Sequence, residues 1–304
     1  MKRERGQYFT TGNPFNHPLF EGWISCLPTN KIIEPFAGSM NIPGLIDRDL
    51  EWHGYDIQPC VPGVIEQDTI TRFPTGYDVA ITNPPYLAKN SATRLKMNVN
   101  FGRHDDLYKL ALERMLDNCG YVAAIIPNTF LTQKDFFDRL VGVVSLTSKM
   151  FDDTDCPACL ALFVPESSSD FVVYKKQQLI GDYSVLREKN KIIQTGIIQT
   201  WKMNDPTGYI GLKAIDGTKE RDIRFVDGDT IEPSSINPTN RSWTRISGPK
   251  SSGIIERANT LLDEYREQTH DIFMSSFRGL RKDGDFRRRL SWDQAKMILN
   301  SVCK

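Results

Sequence analysis

Short apolar runs alternate with polar and amphipathic stretches through the first half of the chain, the pattern of strands feeding helices. Lys31–Pro35, Trp52–Asp56, Val64–Asp68, Asp78–Thr82 and Tyr121–Ile126 read as strands. Phe36–Ser39 reads as a tight turn and Asn41–Asp49 as a helix. Apolar residues at Leu107, Leu110, Ala111, Leu112, Met115 and Leu116 make a helical stripe over Asp105–Asn118, and Lys134–Val144 looks like a second amphipathic helix. Lys149–Phe151 and Cys159–Val164 would close the sheet. The expected fold is α/β, a doubly wound, mostly parallel, Rossmann-like sheet, with a smaller α+β region after it.

The character changes at Pro165–Asp170, which places a domain boundary between 168 and 169. Beyond it, Phe171–Tyr174 and Gly208–Leu212 look like strands and Gly253–His270 like a helix, among turn-rich segments. The two parts also differ in charge. Residues 1–170 carry 15 Lys/Arg against 21 Asp/Glu, whereas residues 171–304 carry 23 against 17. A basic second part suggests a polyanionic partner.

Composition narrows the classes further. Hydrophobic and charged fractions of 39% and 25% are those of a globular protein. No apolar run reaches the ~20 residues of a membrane span. The basic start at Met1–Gln7 lacks a following apolar stretch, and six scattered cysteines do not form a disulfide framework, so a cytoplasmic protein is expected. Cys156-Pro157-Ala158-Cys159 has ligand spacing but no second pair, and no histidine has an evident partner, so no metal is expected.

The chemistry concentrates at strand ends, the edge where open α/β sheets bind ligands. Gly38 follows the first strand and lets the backbone approach a ligand closely, next to a helix start that favours a carboxylate. One glycine stands where a dinucleotide fingerprint needs three, which argues against NAD. Asp56 ends the second strand, where an acid grips a ribose diol. Asp68 ends the third and could accept from an adenine amino group. After the fourth strand come Asn83-Pro84-Pro85-Tyr86. A planar amine is a poor nucleophile because its lone pair is delocalised. The Asn83 side-chain oxygen and the Pro84 carbonyl could accept from both its N–H bonds and draw the nitrogen towards a tetrahedral geometry. Neither proline has a competing N–H. Tyr86 offers a face for a base to stack on.

Gly6-Gln7-Tyr8-Phe9-Thr10, Glu34–Ser39, Asp56, Asp68 and Asn83–Tyr86 together resemble the S-adenosylmethionine-dependent DNA adenine-N6 methyltransferases, in the class whose cofactor motif is N-terminal, of type II restriction-modification kind. The resemblance covers roughly residues 6–165. It implies a class I methyltransferase domain at 1–168 and a target-recognition domain at 169–304. S-adenosylmethionine would be the cofactor, with Tyr8, Thr10, Glu34, Ala37 and Gly38 at its methionine end. Asp56 would hold the ribose and Asp68 the adenine, Ile57 and Asn83 would also contact the cofactor, and Asn83, Pro84, Pro85 and Tyr86 would form the reaction site. Met40 departs from the family, which often has glycine there, and the proline usual after Thr10 is missing.

The implied partner is double-stranded DNA bound by a monomer, with the target adenine flipped out and a cognate restriction endonuclease acting on the same site. Lys89, Arg94, Lys96 and Arg103 lie in a polar stretch expected to be a mobile flap on the phosphates. Arg278, Arg281, Lys282, Arg287 and Arg288 form a second basic cluster for DNA. The catalytic motif also suits a glutamine side-chain amide of a release factor or an RNA adenine, and a DNA-binding module without catalysis is a further reading.

Overall fold

The computed structural model describes residues 10–133, 135–146, 150–151, 156–237 and 242–303. The chain forms two compact units, divided between Gly181 and Asp182. This differs from a boundary at 168/169, because two strands after Asp170 join the first sheet.

The first unit opens with α1 (Pro18–Ser25), whose N-terminus is capped by His17: its Nδ1 accepts from the Leu19 N–H at 3.0 Å. The strands are β1 (Lys31–Glu34), β2 (Glu51–Asp56), β3 (Ile65–Glu66), β4 (Val79–Thr82), β5 (Tyr121–Pro127), β6 (Leu140–Ser145), β7 (Ala158–Phe163), β8 (Val172–Lys175) and β9 (Gln178–Asp182), with α2 (Lys89–Arg94) and α3 (Leu107–Asn118) between β4 and β5. They form one sheet in the order β3-β2-β1-β4-β5-β7-β6-β8-β9. Strands β3 to β5 run parallel, and β7 is antiparallel to both its neighbours. β4 and β7 are buried along their whole length, which explains why they read as unbroken apolar runs rather than alternating ones. This is the α/β, Rossmann-like arrangement expected, extended by β8 and β9.

Two expected helices are absent among the described residues. Asn41–Asp49 holds only a 3-10 turn at Pro43–Leu45, since Pro43 and Gly44 break a continuous helix. A helix N-terminus is therefore not what faces the Gly38 loop. Of the helix expected over Lys134–Val144, Lys134 lies outside the described residues and residues 140–144 belong to β6 instead. Val141, Val143 and Val144 favour a strand, and Leu140 and Val143 are fully inaccessible within the sheet. Of the strand expected at Lys149–Phe151, Lys149 lies outside the described residues, while Phe151 makes a single antiparallel bridge to Thr10.

In the second unit α4 (Tyr183–Lys189) precedes an antiparallel sheet of β10 (Lys202–Met203), β11 (Ile210–Lys213), β12 (Arg224–Asp227) and β13 (Trp243–Ser247), ordered β10-β13-β11-β12. Then come α5 (Ile254–Thr269), a hairpin of β14 (Ser275–Leu280) and β15 (Phe286–Arg289), and α6 (Trp292–Val302). Trp201, Leu212, Phe225, Leu262, Tyr265 and Leu299 belong to its core. α5 matches the helix expected at 253–270, and the unit is α+β as read.

Candidate active site

A cavity of about 550 Å3 opens at the carboxyl ends of β1, β2 and β4. From the β1 end come Glu34, Ala37 and Gly38; from the β2 end, Asp56 and Ile57; from the turn after β3, Asp68; from the loop after β4, Asn83, Pro84 and Pro85. Thr10 joins them from the start of the described chain. Of the expected cofactor residues only Tyr8 falls outside the described residues.

The loop after β1 is held by its neighbours. The Ala37 N–H donates to the Tyr55 carbonyl at 2.8 Å, and the Gly38 N–H to Asp56 Oδ2 at 2.9 Å. Gly38 has φ +51°, in the left-handed region that favours glycine. Thr69 Oγ1 donates to the Pro35 carbonyl at 2.8 Å, and Asn41 Nδ2 to the Thr10 carbonyl at 3.0 Å. Asp56 Oδ1 accepts from the Gln58 N–H at 2.8 Å, and Asp68 Oδ1 from the Ile70 N–H at 3.0 Å, so both acids are fixed by their own backbone turns.

Glu34 is 2% exposed at the cavity wall, and its Oε2 has no hydrogen-bond partner among the described residues; the same holds for Thr10 Oγ1. Burial, with the nearby Asp56 carboxylate adding to it, pushes the Glu34 carboxyl well above the usual range. Two orphaned polar atoms in one cavity are what a site keeps for a polar ligand, and a carboxyl in Glu34's setting suits a cationic group.

Tyr86 is not where a stacking platform would be. It does not line the cavity; its ring sits edge-on to Tyr108 and Phe151, with centroids at 6.3 and 5.9 Å. Its hydroxyl donates to the Ile125 carbonyl at 2.6 Å, and burial holds the phenol protonated. Only 8% of the residue is exposed, leaving little of the ring for a base to lie on. The loop is tied to β5 through this side chain.

The segment after the loop packs against the first unit. An Ala88–Asp106 bridge and a bond from the Leu107 N–H to the Leu87 carbonyl, 3.0 Å, clasp its two ends. Leu87, Ala92, Phe101, Leu107 and Leu110 cluster beneath it, and Met97, Val99 and Gly102 line the cavity itself. These lining positions escaped the sequence reading, although Met97, Val99 and Phe101 alternate in an otherwise polar stretch, a period-2 signal. Lys89, Arg94, Lys96 and Arg103 are exposed on the segment, with Arg103 paired to Glu113 at 2.7 Å.

The second basic cluster splits. Arg278 and Lys282 are exposed and Arg287 is half-buried. Arg281 and Arg288 are 3% and 2% exposed, and their guanidinium groups are spent inside the unit: Arg281 on Asp216, Asp283 and Asp285, Arg288 on Ser276 and the Met274 carbonyl. Expected as DNA contacts, these two are structural, because the buried Asp216 and Asp271 draw cations inward.

Residues 55–141 match the family model of the Eco57I restriction-modification methylase. The Eco57I segment contains Asp56, Asp68, Asn83–Tyr86 and the clasped segment, whereas Glu34 and Gly38 precede it and the second unit lies outside it. Sheet order and this match agree with the resemblance read from the motifs, a restriction-modification type of S-adenosylmethionine-dependent methyltransferase. No curated protein sequence matches the chain. Among solved structures, a Listeria monocytogenes protein assigned to the class I S-adenosylmethionine-dependent methyltransferases is 15% identical, with TM-score 0.40, over 52% of this chain and 61% of that one. A modification subunit assigned to a type I restriction enzyme of Vibrio vulnificus is 15% identical, with TM-score 0.39, over 56% of this chain and 47% of that one. The type IIG restriction endonuclease BpuSI is 16% identical, with TM-score 0.41, over 57% and 28%. The chain thus spans less than two thirds of each of these proteins. No helix among the described residues is long and apolar enough to cross a membrane.

Proposed function

We propose that this chain transfers a methyl group from S-adenosylmethionine to adenine N6 in a short recognition sequence of double-stranded DNA. The observation that carries the reading is one cavity lined both by Asn83-Pro84-Pro85 and by the strand-end acids Glu34, Asp56 and Asp68. Its volume, about 550 Å3, lies within the ~300–1,000 Å3 usual for small-molecule sites.

The cofactor, when bound, supplies a methyl group on a cationic sulfur. Glu34 and Thr10 offer their unpartnered oxygens to its amino-acid end, Asp56 accepts from the ribose hydroxyls, and Asp68 accepts from the adenine amino group beside Ile57. Asn83 Oδ1 and the Pro84 carbonyl accept from the two N–H bonds of the target amine and aim its lone pair. Orientation of this kind can contribute ~7–11 kcal/mol to the acceleration. Tyr86 braces the loop through Ile125 rather than carrying the base. A duplex adenine reaches the loop by flipping out, at a cost of a few kcal/mol. Lys89, Arg94 and Lys96 lie beside that loop and suit the phosphates around the flipped base, while the basic second unit suits target recognition. The protein would act as a monomer beside a restriction endonuclease of the same specificity.

The deciding experiment is transfer of labelled methyl from S-adenosylmethionine to unmethylated genomic DNA, with single-molecule sequencing of the product. Label on adenine within one short motif is expected. Label on RNA or on a release-factor peptide, with none on DNA, would keep the chemistry and overturn the substrate.

A further inference from the structure

The second unit buries an ionic cluster whose effect is to fix one hairpin. Asp216 and Asp271 are 0% and 1% exposed, and Arg266, from α5, is 2% exposed between them. Arg266 donates to Asp216 from Nη1 and Nη2 at 2.9 and 2.8 Å, and to Asp271 from Nε at 2.9 Å. Asp216 Oδ1 also accepts from the Asp222 and Ile223 N–H groups, and Oδ2 turns to the hairpin, accepting from Arg281 Nη1 and from the Arg288 backbone N–H, both at 3.1 Å. Arg288 Nη1 crosses to Ser276 Oγ at 2.6 Å, so both strands are tied on their inner face.

The outer face carries different groups. Phe277 pairs with Arg287 across the strands, and the Arg287 guanidinium lies 5.0 Å from the Phe277 ring centroid. Arg287 Nε donates to the Asp216 carbonyl at 2.6 Å, which fixes the guanidinium plane and leaves the terminal nitrogens facing away from that bond. Arg278, in the register shift between Phe277 and Leu280, and Lys282, in the turn that follows β14, are exposed. Of the acids nearest the tip, Asp283 and Asp285 both accept from Arg281, at 2.8 and 3.3 Å. The two-stranded ribbon therefore presents an aromatic-backed arginine on one face, with two exposed cations towards its tip.

We propose that the outer face of the β14–β15 hairpin is the surface that reads duplex DNA, laid in the major groove, with Arg278 and Arg287 on guanine edges and Lys282 on a phosphate. The major groove, about 12 Å wide, admits a two-stranded ribbon, and arginine is the side chain that pairs bidentately with guanine. The assignment of DNA as partner rests on the proposed function; the assignment of the hairpin is tested separately.

The test uses the full chain and its Arg278→Ala, Arg287→Ala and Lys282→Ala variants. Fluorescence anisotropy on a duplex containing the methylated motif, over a salt series, is read alongside genome-wide sequencing of methylation. Arg278→Ala and Arg287→Ala are expected to relax the motif at particular guanines, with discrimination there falling on the order of 10- to 100-fold. Lys282→Ala is expected to weaken binding to all duplexes alike and to reduce the salt slope by about one. S-adenosylmethionine affinity should stay at the wild-type value in all three, and the thermal midpoint in Arg278→Ala and Lys282→Ala; Arg287→Ala also loses the bond to the Asp216 carbonyl and is expected to unfold at a lower temperature. Wild-type DNA methylation with the same motif and the same salt slope in every variant would overturn the hairpin and leave the function standing. A wild-type chain that neither binds duplex nor methylates DNA would overturn both.

Discussion

Met40 and Gly54 occupy each other's space: Met40 has φ 54°, and its sulfur lies 2.5 Å from where a Cβ on Gly54 would stand. The residue that departs from the resembled family thus keeps the left-handed backbone a glycine would take, and its side chain fills the gap left by a glycine on β2. A Cβ at 54 would also meet Ala37 Cβ at 3.1 Å, and Ala37 belongs to the cavity wall. Gly54→Ala is therefore expected to destabilise the protein by roughly 1–3 kcal/mol, the usual cost of overpacking, and to weaken S-adenosylmethionine binding. Met40→Ala in the same chain should restore part of the stability, because the flexible sulfur is the nearer obstacle. Thermal unfolding of the two single variants and the double variant measures the coupling; simple additivity would show that the two sites do not touch.

The Glu34 carboxyl makes stability and ligand affinity respond oppositely to pH. Its folded-state pKa is raised by burial and by Asp56, so the folded protein holds a proton that the unfolded chain has released. The free protein accordingly loses stability as pH rises from the ordinary carboxylate range towards the folded value. A cation placed against Glu34 favours its ionised form, so cofactor binding should release a proton and tighten as pH rises over that window. Glu34→Gln is expected to raise the thermal midpoint of the free protein at neutral pH and to weaken S-adenosylmethionine binding. Calorimetry in buffers of different ionisation enthalpy reads the proton directly, and equal proton release in wild type and variant would remove Glu34 from the cofactor site.

Tyr86 offers a sharp choice between brace and platform. Tyr86→Phe keeps the ring and deletes only the hydroxyl that donates to the Ile125 carbonyl at 2.6 Å. Removing that partner from the buried carbonyl should cost about 1–3 kcal/mol and shift the Asn83–Tyr86 loop. The expected result is a lower thermal midpoint and a reduced kcat with unchanged KM for S-adenosylmethionine. Full activity in Tyr86→Phe together with loss in Tyr86→Ala would favour stacking.

Arg266 is the centre of the buried cluster in the second unit. Arg266→Met leaves Asp216 and Asp271 without their principal cation, and breaking a buried pair from one side typically costs about 3–5 kcal/mol. Since Arg266 holds the pKa of both acids low, the wild-type contribution is present at neutral pH and fades on acidification through those depressed values. Urea unfolding at neutral and acidic pH should show the gap between wild type and variant narrowing towards the acidic end.

The meeting of Glu34, Asp56 and Asn83 at one cavity was legible because it is local: each lies at the end of an apolar run, and a strand's end fixes where its last side chains go. What depended on distant pairing was not. Residues 140–145 mimic a helix when Phe136, Phe137, Leu140 and Val144 are counted by turns, and only their pairing with β7 and β8 makes them a strand. β8 follows an apparent linker, yet its register with β6 returns it to the first sheet. Arg281 and Arg288 look like part of a solvated run, because the acids that draw them inward lie far away in sequence, at Asp216 and Asp271. Tyr86 shows a finer limit: a motif specifies residue types, whereas the direction of a ring depends on what packs against it. One signal went unread, the Ser291–Gln294 capping box that starts α6 ahead of Ala295, Ile298, Leu299 and Val302.

The clasped segment between Ala88 and Asp106 carries cavity-lining residues and exposed cations on one piece of chain. Met97, Val99 and Gly102 line the cavity, while Lys89, Arg94 and Lys96 face outward from the same segment. It packs on one small cluster, so its opening should be easier than global unfolding. A ligand in the cavity adds contacts only to the closed form and must stabilise it by mass action. Saturating S-adenosylmethionine is therefore expected to slow amide hydrogen exchange across residues 97–102 by at least tenfold, with little change in the second unit. Val99→Ser should diminish that protection and weaken cofactor binding without altering the thermal midpoint of the free protein by more than about 1 kcal/mol equivalent, because Val99 is only partly buried. Equal exchange with and without cofactor, measured where binding is independently saturated, would show that the segment does not close on the ligand.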